Sequence, residues 1–263
     1  MILQSLLLAA SLPAGMPQSP VVPTPLPSIH APWTALLRDH VEFGLVDYDA
    51  FAEAPQFQKY LQSLATARLE PMSRDDRLAF WINVYNAYTI ELINKHRERG
   101  SIRNINMFLG LVKGKGPWKE EIVRAAGRAL TLDDVEHKII RVDFKEPRIH
   151  AALVCAAISC PPLRSEAYLG STLDAQLQEQ TRTFLRDRRT ENRLDLGNSV
   201  IHLSPIFDWY RDDFGTTDAA ILKFVAQYFD GAAERNAFAA SRLRIKFTDY
   251  DWSLNLKKPR KTQ

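Results

Sequence analysis

A chain of 263 residues that is 46% apolar and 25% charged has the composition of an ordinary soluble globular protein, long enough to bury one substantial core. Its 34 basic and 31 acidic residues leave a formal charge of +3, a balance that gives no support to nucleic-acid binding. Two cysteines in the whole chain exclude a disulfide-dense scaffold and a multi-cysteine zinc module.

No Lys, Arg, Asp or Glu precedes Arg38. Residues 2–12 form an apolar run, too short for a membrane span, which needs about 20 residues. It suits the apolar region of an export signal over residues 1–15, although the usual positive charge before it is missing. Seven prolines between Pro13 and Pro32 predict an extended, poorly ordered spacer over 16–32, because proline fixes φ and lacks the amide donor. A single domain is expected over 33–256 and a solvated basic tail over 257–263. The protein would then be periplasmic or secreted, and cytoplasmic if the signal is not used. No membrane-crossing helix is expected in the mature chain.

Trp33, Leu36, Leu37 and Val41 have helical spacing. Residues 43–48 read as a short extended piece, with Asp49 offered as the cap of the next helix. Phe57, Tyr60, Leu61 and Leu64 continue a helical stripe. The strongest helix is 73–95, with a capping-box pattern at Ser73 and Asp76 and an interior from Leu78 to Ile90 that is apolar almost all round, as for a helix at the centre of a fold. A second capped helix begins at Thr131 with Asp134 three residues on. Residues 149–155 read as a short buried strand, 173–185 as a helix and 199–203 as a strand. Residues 207–210 and 219–229 read as helices, and 243–247 as a strand with one wet face. The predicted fold class is α+β: a helix-rich single domain around a small, largely antiparallel sheet, with a buried central helix.

These blocks resemble the domain-of-unknown-function family 547. The resemblance is carried by Phe80-Trp81-Ile82-Asn83-Val84-Tyr85-Asn86-Ala87, by Leu132-Asp133-Asp134-Val135-Glu136-His137 and the residues after it, and by 148–163, 203–210 and 250–255. It runs from about residue 73 to 256. What it implies about activity is thin, because the family is named for lacking an assigned function. The resemblance also implies a domain that occurs alone in bacterial proteins and beside other domains in plant and animal ones.

Both cysteines and His150 fall within 148–163, so this segment is a disulfide clamp, a thiol active site or part of a metal site. A catalytic thiol needs a base, and His150 is the neighbouring one. On a strand, alternation would point His150 and Cys155 to opposite faces, which leaves Cys160 as the nucleophile. A Cys155–Cys160 disulfide is the alternative, with the even count and an oxidising compartment in its favour. Tetrahedral metal binding by the two cysteines with His137 and His150 has the wrong spacing, so neither metal nor cofactor is expected.

Asn83 and Asn86 share a helix face, either to bind loop backbone or to hold a substrate carbonyl or orient His150. Trp81, Tyr85 and Tyr88 read as core. Glu136 and His137, about 100° apart on an α-helix, should not face one site together. Glu136 would pair with Arg148 or Arg141, or orient His150. The stretch 110–118 lacks the spacing of a phosphate loop, and its Trp118 is a candidate cover for the site. His202 is a satisfied surface histidine or a late entrant to the site.

Two function classes follow. One is a hydrolase or acyl transferase with His150, Cys160 and Glu136 as catalytic residues and Asn83, Asn86 and Trp118 as binding or positioning groups, loosely reminiscent of papain-like layouts except that the helix carries Asn where those carry Cys. The other is a non-catalytic binding or scaffold module stapled by Cys155 and Cys160. The partner in either case is a small-molecule or peptide ligand.

Overall fold

The computed structural model describes residues 29–106, 116–186 and 192–258. The export signal, most of the proline-rich spacer, the glycine-rich stretch before Gly116 and the end of the basic tail lie outside the described residues.

Three helices form the first layer: α1 (Ala31–His40), α2 (Tyr48–Glu53) and α3 (Pro55–Ala65). Trp33 ties them together, stacking on Tyr60 at 5.3 Å and packing on Phe51 and Phe57. A two-stranded hairpin, β1 (Val41–Glu42) and β2 (Leu45–Val46), links α1 to α2. It turns at Gly44, whose φ of +77° suits glycine and where a Cβ would collide with Pro162. The cap of α2 is Asp47, which accepts from the Ala50 amide at 3.1 Å, and not the expected Asp49. Asp49 instead pairs with Arg99.

The layer packs on α4 (Arg74–Lys95), capped by Ser73, whose Oγ accepts from the Asp76 amide at 3.1 Å. Every residue from Leu78 to Ile90 is buried, as a helix with no polar face requires. A second hairpin, β3 (Val123–Ala125) and β4 (Arg128–Leu130), leads to Thr131. The predicted capping box is present: Thr131 Oγ1 accepts from the Asp134 amide at 2.9 Å, and Asp134 Oδ2 accepts from the Thr131 amide at 3.0 Å.

The helix that follows is a π-helix over Asp134–Ile140, continued by α5 (Arg141–Phe144). After α6 (Leu173–Arg186) come β5 (Arg193–Asp195), β6 (Val200–Leu203) and β7 (Arg244–Phe247). Strand β6 pairs antiparallel with β5 and parallel with β7. Between β6 and β7 run α7 (Ile206–Trp209), α8 (Arg211–Phe214), α9 (Asp218–Ala226) and α10 (Ala232–Ala239), which build a second apolar cluster around Phe184, Phe207 and Val225. The class is α+β as expected, and among the described residues the strands are divided among two hairpins and one three-stranded sheet. Among the described residues no helix is long and apolar enough to cross a membrane.

One predicted element is absent. Residues 149–155 are not a strand: Pro147–Ala151 is a 3₁₀ turn started by Glu146, whose side chain accepts from the Arg148 amide, and an irregular segment follows. The physical reason lies on α4. Asn86 donates to the Ala152 carbonyl at 2.9 Å and accepts from the Val154 amide at 2.9 Å, so a side chain satisfies the groups that a neighbouring strand would otherwise take.

Candidate active site

The turn from Pro147, the π-helix, α7 and the returning C-terminal segment converge on a cavity of about 210 Å³. Its wall includes Glu136, His137, His150, Cys155, Cys160, Trp118, Trp209, Tyr210, Tyr250 and Trp252. The C-terminal segment is held across the cysteine loop by Ile158 N donating to Ser253 O at 2.8 Å and Asn255 N donating to Ala156 O at 3.1 Å. That strap is what brings Tyr250 and Trp252 over residues some ninety positions earlier in the chain.

His150 is buried, with its ring stacked on Tyr210 at 3.9 Å. Its Nε2 lies 2.7 Å from Asp213 Oδ2, and a carboxylate can only accept, so Nε2 carries the proton and Nδ1 is the basic nitrogen of the neutral ring. Asp213 is gripped in turn by Arg141, whose Nε and Nη2 donate to its two oxygens at 2.6 and 3.0 Å. Burial by itself would raise the Asp213 pKa. The hydrogen bonds from His150 and Arg141 outweigh burial and hold the carboxyl well below the usual carboxylate range. Arg141 Nη1 also reaches His137 Nδ1 at 3.0 Å.

Glu136 is buried and lines the cavity together with Tyr85 and Tyr210. Burial first, and then the Glu136 charge, push both phenols well above their ordinary pKa, so both stay protonated. Glu136 therefore neither orients His150, which is the role of Asp213, nor pairs with Arg148, which bridges Glu146 and Asp174. Glu136 and His137 line one cavity despite being adjacent. A π-helix closes its bonds five residues apart (Arg141 N–H reaches Glu136 O), so it turns less per residue than an α-helix.

Cys155 and Cys160 are joined by a disulfide. The Cys155 amide donates to Cys160 Sγ at 2.9 Å, and the Tyr250 hydroxyl lies 3.2 Å from each sulfur. Both cysteines line the cavity, so the opposite faces expected of His150 and Cys155 are not found. The strand that parity required does not exist.

Trp118 lines the cavity and packs edge-on against Trp252 at 6.1 Å. Asn83 and Asn86 do not line it. Asn83 clamps Tyr168 through both its amide atoms, at 2.8 and 3.0 Å, and Asn86 clamps the His150–Cys155 loop as described. His202 also lies outside the cavity, in register with Arg193.

Sequence reasoning missed Asp213, Tyr210 and Tyr250, and took Tyr85 for core alone. Asp213 carries no local signal, since its partner lies 63 residues away. Tyr85 was legible only as one more apolar position on a helix buried all round.

The Thr131–Asp134 cap supports the π-helix and has a measurable signature. The hydrogen bond from Lys138 and those from Thr131 push the Asp134 carboxyl down to about 2. A folded-state pKa below the unfolded value contributes stability at neutral pH that is lost as pH falls through about 2. The thermal midpoint of Lys138→Gln should therefore lie below wild type at pH 5 and converge with it as pH approaches 2. Parallel curves would show that the pair does not act on stability.

This is an α+β protein with a buried histidine–carboxylate pair opening on an aromatic cavity. Residues 69–185 match the family described as "Protein of unknown function, DUF547", and that segment is similar to it. The match includes α4, the π-helix, His150 and both cysteines, while Tyr210, Asp213, Tyr250 and Trp252 lie beyond it. No curated protein and no solved structure matches the chain.

Proposed function

We propose that this protein is a hydrolase or acyl transferase centred on His150. The observation that carries the reading is the 2.7 Å bond from His150 to Asp213 in the wall of a cavity that Cys160 also lines. A base held by a carboxylate and a sulfur that reduction turns into a nucleophile, in the wall of one cavity, are the groups that acyl transfer needs. A thiol reductant first opens the Cys155–Cys160 bridge, giving two thiols and leaving the reductant oxidised. His150 takes the Cys160 proton, and the thiolate attacks the acyl carbon. The leaving group departs with the proton from His150, and water or an acceptor cleaves the thioester. The Cys155 amide and the Tyr250 hydroxyl, both now on Cys160 Sγ, would stabilise the thiolate.

The test is thiol titration and turnover of aryl esters, thioesters and peptide amides before and after reduction. Activity should appear with the two thiols and fall by at least about 100-fold in His150→Ala and in Cys160→Ser. A fully reduced wild type as inactive as these variants would sink the reading.

The closed bridge favours a second reading, a non-catalytic binding module that uses the same cavity. A bridge that resists reduction, with binding and no turnover, is its expected result. For this second reading we place the protein in an oxidising compartment, periplasmic or secreted, where such bridges persist. Loss of residues 1–15 from the exported protein, read by intact mass, checks that placement.

A further inference from the structure

The cavity combines a buried carboxylate with a wall of aromatic rings, and among the described residues no Lys or Arg lines it. Arg141, on the turn after Glu136, gives two of its hydrogen bonds to Asp213 and a third to His137. Glu136 shares the wall with Tyr85 and Tyr210, and Asp133 adds a second carboxylate to it. Towards the mouth, Trp209 and Trp252 stack at 5.7 Å and Tyr250 packs on each, at 4.9 and 4.6 Å. Trp209 is 49% exposed, unusual for so large an apolar side chain. The chain's own Arg103 already places its guanidinium 5.2 Å over Trp252, so this ring accepts a cation in the folded protein.

We propose that this cavity binds an organic cation, an alkylammonium or guanidinium group, with Glu136 as counter-ion and Trp209, Tyr250 and Trp252 as the aromatic cage. The electron-rich ring faces attract the cation, and the low dielectric of the cavity strengthens its pairing with Glu136. A space of about 210 Å³ is roughly seven water volumes, the size of a trimethylammonium or guanidinium head with a short stem. The inference uses the site of the proposed enzyme and names its substrate class, but binding can be read without turnover.

Trp118, Trp209 and Trp252 make intrinsic fluorescence a direct reporter. The full chain is titrated with n-butylammonium, butylguanidinium and tetramethylammonium, and with butanol and butyrate as neutral and anionic controls. The cations should bind at least about ten-fold more tightly than butanol, and Glu136→Gln should erase that margin. Trp209→Leu, at a half-exposed position where folding is not at stake, should weaken the cations several-fold and leave butanol unchanged. A lysine tripeptide set against its norleucine counterpart distinguishes a free amine from a side chain of a peptide. Cations still bound by His150→Ala and Cys160→Ser would uphold the inference even where the enzyme reading has failed. Butanol or butyrate binding as tightly as the cations, or an unchanged margin in Glu136→Gln with wild-type circular dichroism, would overturn it.

Discussion

Asp213→Asn is expected to lower turnover of the reduced protein by about 10³- to 10⁴-fold with little change in KM, the scale on which a base deprived of its orienting carboxylate loses catalysis. Asp213 is acceptor to His150 and Arg141 together. The amide has one oxygen where the carboxylate had two, and its nitrogen can only donate. Whichever way it turns, it sets a donor against Arg141, at Nη2 or at Nε, and in the second case against His150 Nε2 as well. A donor facing Nε2 would reverse the imidazole tautomer and move the proton to Nδ1, the nitrogen required as base. A purely structural Asp213 would instead show as a lower thermal midpoint with kcat intact in the surviving folded protein. That result would remove Asp213 from the mechanism.

Asn86→Ala is expected to be the most damaging polar substitution for stability, by about 2–6 kcal/mol. Its side chain is buried and satisfies one carbonyl and one amide of the His150–Cys155 loop. Alanine strands both backbone groups away from water, at about 1–3 kcal/mol each. For a chain of this size that corresponds to a fall in thermal midpoint of roughly 5–15 °C. Thr89→Val is the control on the same helix. Its hydroxyl only doubles a bond to the Tyr85 carbonyl one turn back, so its loss should cost far less. Should the two variants melt together, the loop clamp is not the source of the effect. Because the same loop carries His150 and the disulfide, Asn86→Ala should also disturb the cavity before the fold is lost.

Both predictions depend on pairings of different legibility. The helix bearing Asn86 could be read directly, because Ser73 and Asp76 mark its start and thirteen consecutive positions from Leu78 to Ile90 leave it no wet face. That its two amides would bind backbone was one of two open readings, and the Ala152 and Val154 bonds decided between them. The strand read over 149–155 failed for the same reason. A run of small apolar residues suits any buried segment, and its conformation was set by where its amides and carbonyls found partners. Glu136 and His137 were separated by assuming α-helical rotation, which the π-helix does not follow.

The sequence by itself determined the elements whose energetics are local: capped helix starts, the buried central helix, the alternating strands and the segment that holds both cysteines and His150. Capping bonds and burial periodicity act within a few residues, so they are written in neighbouring positions. The site was decided only in the tertiary structure. Asp213 reaches His150 across 63 residues and Tyr250 reaches Cys160 across 90. Such bonds depend on how α8 and the C-terminal strap pack against the 3₁₀ turn, and no local pattern in the chain encodes that packing.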